Sequence, residues 1–124
     1  MQERIDMVSA VMVDVGELIG NARSIERSQD DSSLTKNSVI SQVSRLERHE
    51  RGDLATMELL PHTFDQNPFV REIAVRGLVA VNKTNRNEIV RSSAIKRALF
   101  LSNDENEGIV IKELAREFLE NNQQ

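Results

Sequence analysis

What most constrains this chain is the scarcity of residues that interrupt a helix. Its only prolines, Pro61 and Pro68, stand seven positions apart, and its five glycines are scattered. In no window do β-branched or aromatic residues alternate with polar ones at period two, so strands are unsupported. Apolar residues instead recur every three or four positions. Ile5, Val8, Met12, Val15, Ile19, Ala22 and Ile25 form one stripe that predicts a helix over 2–28. Val39, Ile40, Val43 and Leu46 predict a second over 34–50. The most apolar run, Phe69, Val70, Ile73, Ala74, Gly77, Leu78 and Val81, predicts a helix over 67–82. Asn67 would cap it, and Pro68 would occupy its first position, where a missing N–H costs nothing.

The remaining boundaries follow from capping chemistry. Asp53 stands as an N-cap before a short apolar segment, Leu54 through Leu60, which Pro61 bends or ends. Asn85 with Glu88, and Asp104 with Glu107, read as capping boxes that open helices over 86–101 and 107–121. The sum is an all-α, compact six-helix domain. At 124 residues one domain, 1–124, accounts for the whole sequence, divided into an N-terminal helix pair (1–50) and two further pairs (53–82 and 86–121).

Asp65, Pro68, Val70, Arg71, Ala74 and Leu78 spell D-x-x-P-x-V-R-x-x-A-x-x-x-L directly after a short helix. That pattern resembles the second helix of a HEAT repeat and the turn before it. A weaker copy follows 41 residues later, with Val70 matched by Ile111, Arg71 by Lys112, Ala74 by Ala115 and Leu78 by Leu119; a period near 40 suits such helix pairs. The second copy lacks the proline, and residues 1–50 carry no copy. The resemblance implies a HEAT-like stack of α-hairpins, with an irregular helical bundle as the alternative. It also implies that Asp65 and Arg71 serve the turns between helices.

Equipment for chemistry is sparse. Without cysteine there is no disulfide framework, thiol nucleophile or Cys-type zinc site, which fits a reducing, cytoplasmic setting. The start, Met1-Gln2-Glu3-Arg4, does not read as a signal peptide, and no apolar run approaches the ~20 residues needed to span a bilayer. His49-Glu50-Arg51-Gly52-Asp53 fails the H-E-x-x-H zinc pattern at its fifth position, and Arg51-Gly52-Asp53 is too short a match to mean adhesion. Neither serine elbows nor glycine-rich phosphate loops occur. The expectation is a non-enzyme with no metal and no cofactor.

Nucleic acid is a poor match as well, because Tyr and Trp are absent and the net charge is −4. Of the twelve arginines, nine fall among acidic residues on the polar faces of the expected helices, as solvated ion-pair surfaces do. The placement of charge carries more information than its total. If helices run up and down, alternate joints lie at one end. The joints at 29–33, 62–67 and 102–107 contain Asp30, Asp31, Asp65, Asp104, Glu105 and Glu107, and no Lys or Arg. The joints at 51–53 and 82–86 are neutral and basic. One pole is therefore expected to be acidic.

In a HEAT-like stack the second helix of each pair lines the concave side, exposing Glu72, Arg76, Glu113, Arg116, Glu117 and Glu120. Glu72, Arg76, Glu113 and Glu117 join the six joint carboxylates as the expected partner-binding residues. A short, acidic, helical chain of this kind resembles in profile the immunity proteins of bacterial contact-dependent inhibition systems. The resemblance implies an antitoxin that occludes the cationic active site of a nuclease toxin. Two alternatives share the architecture: a phage-encoded inhibitor of a host nucleic-acid-binding complex, and a helical-repeat adaptor or scaffold. The long first helix is a candidate for homodimer formation.

Overall fold

The computed structural model describes residues 2–27 and 33–123. Within them the chain forms six α-helices and no strands: α1 (Gln2–Arg27), α2 (Ser33–Gln42), α3 (Gly52–Leu59), α4 (Pro68–Val81), α5 (Glu88–Asn103) and α6 (Ile109–Asn121). Short 3-10 turns over Val43–Arg48, Leu60–Phe64 and Asn82–Thr84 extend α2, α3 and α4. No helix among the described residues is long and apolar enough to cross a membrane.

The helices form three hairpins in two layers. Contacts join α1 to α2, α3 to α4 and α5 to α6 across the layers. Odd helices meet within one layer (α1 with α3, α3 with α5) and even helices within the other (α2 with α4, α4 with α6). The centre belongs to α4, the helix with the longest apolar run. It buries Val70, Ile73, Ala74, Val75, Leu78 and Val81, four of them with no exposed surface. Around it pack Val15, Leu18 and Ala22 of α1, Leu46, Leu59, Ala98 and Leu101, and Phe118 of α6. A stripe of this kind is what drives a marginal helix to fold at all, since an isolated segment of 14 residues scarcely holds in water.

Several local expectations need correction. The first stripe holds from Val15 onward, where Val15, Ile19, Ala22 and Ile25 are buried together with Leu18; before it, Val11 is buried whereas Val8 and Met12 are 40% and 52% exposed. Spacings of three and four both satisfy helical periodicity, and packing selected the other branch. Ile5 lies outside the described side chains. Asp53 does not cap α3; the helix starts one residue earlier and Asp53 sits in its first turn, where Arg51 donates to both carboxylate oxygens at 3.0 and 2.9 Å. Gly52 is buried between these two residues. Asn87, not Asn85, caps α5, accepting from the N–H groups of Ile89 and Val90. The cap position of α6 is Gly108, without a side-chain bond, because Glu107 is engaged elsewhere. The cap at Asn67 and the proline at the start of α4 stand as expected, with Asn67 Oδ1 accepting from Phe69 N at 2.9 Å.

Gly52 shows how tightly the second hairpin closes. A methyl group on its α-carbon would collide with the Val81 carbonyl, the Thr84 hydroxyl and the Asn85 amide, so the start of α3 passes directly against the end of α4. Gly52→Ala should therefore cost roughly 1–3 kcal/mol, the usual penalty for forcing volume into a packed contact. Urea denaturation would show the shift; an unchanged midpoint would mean the two helix ends are not in register as described.

Candidate partner-binding faces

The joints expected to share a pole do so, as far as they are described. The turn at 62–67 and the turn at 102–107 meet through Arg71, which stands in the first turn of α4. Its Nε and one terminal nitrogen donate to the two oxygens of Glu107 at 2.9 and 3.0 Å. Its other terminal nitrogen donates back to the carbonyls of Asp65 (2.8 Å) and Gln66 (3.0 Å). From α1, Arg23 donates to Asp65 Oδ2 at 2.7 Å. Three elements distant in sequence are thus clamped by two arginines, in a fork geometry that suits carboxylates.

The pole is consequently not a bare anionic rim. Summing charges by joint omits cations that arrive from the flanking helices. Asp65 and Glu107 face inward, with side chains 16% and 5% exposed. Asp104 is half-buried and accepts from Asn106 N at 2.9 Å, and Glu105 is exposed; neither makes an ion pair. Asp30 and Asp31 lie outside the described residues. Electrostatics reflects the pairing. The Arg23 hydrogen bond, helped by the Asn67 N–H, holds the Asp65 carboxyl below its usual range. Burial would raise Glu107, yet the Arg71 and Gly108 hydrogen bonds outweigh it and hold it low.

The turns themselves repeat in a way the 41-residue comparison missed. Asp65, Asn85 and Asp104 each accept, through Oδ1, the backbone N–H two residues on, at Asn67, Asn87 and Asn106. Arg91 reaches back to the Asn85 carbonyl, six residues before it, as Arg71 reaches the Asp65 carbonyl. The signal is legible as D-x-N-x-x-V-R at 65–71 and N-x-N-x-x-V-R at 85–91, a spacing of 20 residues. It marks single helices, whereas the search was for helix pairs. Neither version is fully satisfied: Asn67 Nδ2 in the first, and Asn85 Nδ2 and Arg91 Nε in the second, are buried without partners.

Beside this clamp lies an apolar patch that sequence reading did not anticipate. Phe64 and Phe100 are 66% and 59% exposed, with Leu99 at 48%. The Arg97 guanidinium lies 3.7 Å from the Phe64 ring centre and 5.2 Å from that of Phe100. It is tied down by hydrogen bonds to the Thr63 hydroxyl (3.0 Å) and carbonyl (2.7 Å). Phe100 and Leu99 border a shallow cavity of about 560 Å³ that Asp104, Glu105, Asn103 and Asn106 complete. Phe64 closes the 3-10 turn after α3 and Phe100 stands on the outer side of α5, so the two rings meet Arg97 from different elements.

A second face runs along α4. Cavities of about 750, 250 and 700 Å³ lie in succession between α2 with its 3-10 extension on one side and α6 on the other. Glu72, Arg76 and Glu117 line this trough, with Glu47 and Lys83. Glu72 accepts from Arg76 at 3.0 Å. Glu113 is exposed on α6 and does not line the trough. His49 is buried against Asp14, with Nε2 and Oδ2 2.6 Å apart, and His62 is half-buried. Among the described residues no group of three or more histidines and carboxylates is arranged to hold a metal ion. No protein-family model, curated protein or solved structure matches this chain.

Removing the Arg71 side chain strands the inward Glu107 carboxylate and two turn carbonyls. Arg71→Ala should lose roughly 3 kcal/mol, the lower end for breaking a buried pair from one side, with helix content retained by circular dichroism. The acid limb is also defined. Glu107 and Asp65 have ordinary values of 4.5 and 3.8, and both are lower in the folded chain. Their stabilisation is complete above about pH 4.5 and is lost as pH falls through the lowered folded values. Glu107→Gln should flatten the loss of stability below pH 4.5; an unaltered acid slope would show that the pair contributes nothing.

Proposed function

We propose that this chain is a protein-binding immunity protein or antitoxin, acting in the cytoplasm to neutralise a basic, nuclease-type toxin by stoichiometric occlusion of its active site. The observation that carries this reading is the exposed Phe64–Arg97–Phe100 stack set beside Asp104 and Glu105. Rings fixed by a bound guanidinium bring apolar contact area with little conformational freedom left to lose, as anchors at protein interfaces do. The adjoining carboxylates, free of intramolecular ion pairs, occupy positions where a toxin's Arg and Lys would otherwise hold phosphate. Such groups act chiefly on the rate of association, and the rings on the rate of dissociation.

The HEAT-like reading belongs with this proposal. What supports it is the two-layer order of three hairpins and the arginine that serves the turn before α4. The trough over α4 favours a second reading, an adaptor or scaffold subunit, since even helices lining one concave face give a continuous surface for an extended partner. The two readings assign the partner to different faces and are separable by mutation.

Affinity capture at about 50 mM salt with the intact chain should retain a basic protein at one-to-one stoichiometry whose nuclease activity is abolished in the complex. Asp104→Lys with Glu105→Lys should slow association about tenfold at low salt, and Phe64→Ala with Phe100→Ala should mainly hasten dissociation. Indifference of association to charge reversal and ionic strength would defeat the steering argument. Retention that depends on Arg76 and Glu117 instead would move the partner to the trough.

A further inference from the structure

The outer face of α1 carries a strip that the fold does not explain. A methyl group added at Gly16 or Gly20 would meet nothing within 4 Å among the described residues. Gly52, by contrast, is demanded by its neighbours. A glycine inside a helix weakens it relative to alanine, so two of them at four-residue spacing with no internal reason call for an external one. On the same side lie Val8, Met12 and Val13, 40%, 52% and 55% exposed, together with exposed Ser9.

These residues are ordered along the helix. The bulky side chains occupy its earlier turns and the glycines its later ones, and Val8, Met12, Gly16 and Gly20 form a single ridge at four-residue steps. Reversing the direction of a second copy about a twofold near Asp14 sets Val8 opposite Gly20 and Met12 opposite Gly16, and the same contacts recur on the other side. An isologous interface has this property: one patch that complements itself.

We infer that α1 pairs antiparallel with α1 of a second copy of this chain. The ridge complements itself only under a twofold, which a second copy supplies and a foreign partner does not. Val8, Ser9, Met12, Val13, Gly16 and Gly20 carry no charge in a chain of net charge −4, so two copies meet on the strip where mutual repulsion is least. The helix also has the necessary reach. From Val8 to Gly20 the strip runs about 18 Å along the helix, a contact at the small end of specific interfaces, which suits association in the micromolar range. Glycines bring the two backbones closer than larger residues allow. The Phe64–Phe100 face belongs to other elements, so this pairing stands independently of the toxin-binding reading.

Sedimentation equilibrium of the intact chain tests it. The wild-type protein should reach twice the 14.0 kDa chain mass in the micromolar range. Gly16→Leu with Gly20→Leu should weaken self-association at least a hundredfold while leaving the helical spectrum intact, because leucine favours the helix over glycine and its Cβ meets no described atom within 4 Å. Met12→Glu, on the same ridge, should do likewise by placing two carboxylates in the strip. Gly16→Ala with Gly20→Ala should raise the melting temperature of the dilute monomer yet weaken the dimer, opposite signs that a purely structural role would not produce. A wild-type chain that remains monomeric to about 500 µM overturns the inference, and so does a dimer that tolerates the leucine pair or Met12→Glu.

Discussion

Everything at the working end of this molecule hangs on one guanidinium. Arg71 is planted in the first turn of the most buried helix, and its five donors are distributed between the turn before that helix and a carboxylate 36 residues later. Backbone carbonyls in a turn cannot satisfy one another, and a carboxylate with 5% of its surface exposed needs a cation. One side chain meets both requirements and ties the second and third hairpins together at the end they share. Arg23 extends the same clamp to the first hairpin through Asp65.

This clamp changes what the acidic composition means. Carboxylates gathered by an up-and-down topology would repel if left alone, and the fold answers by drawing arginines from three helices among them. Asp65 and Glu107 become internal ties. Arg97, held by Thr63, becomes the platform for two exposed phenylalanine rings. The negative charge left for a partner is concentrated at Asp104 and Glu105, next to those rings. In the proposed reading those carboxylates would steer a partner and the adjacent rings would anchor it.

The helices were legible because helical periodicity is a local property, written within each 14- to 26-residue segment and uninterrupted by proline. The cap at Asn67 was legible for the same reason, since a side chain and the N–H two residues on are neighbours in any fold. The caps assigned to Asp53, Asn85 and Asp104 failed where a second partner competed: Arg51 for Asp53, the turn's own N–H for Asn85, and Arg71 for Glu107. The 20-residue recurrence of x-N-x-x-V-R was present in the sequence throughout. It marks single helices, at half the period of a helix pair.

By itself the sequence determined the all-helical class, the approximate limits of six helices, and the meeting of alternate joints, all consequences of spacing and chain continuity. Only the tertiary structure decided which branch of the α1 stripe is buried, which carboxylates point inward, and which phenylalanines face solvent. Those outcomes depend on what lies across the layer, because a helix has several faces of nearly equal apolar content and packing against neighbours selects among them.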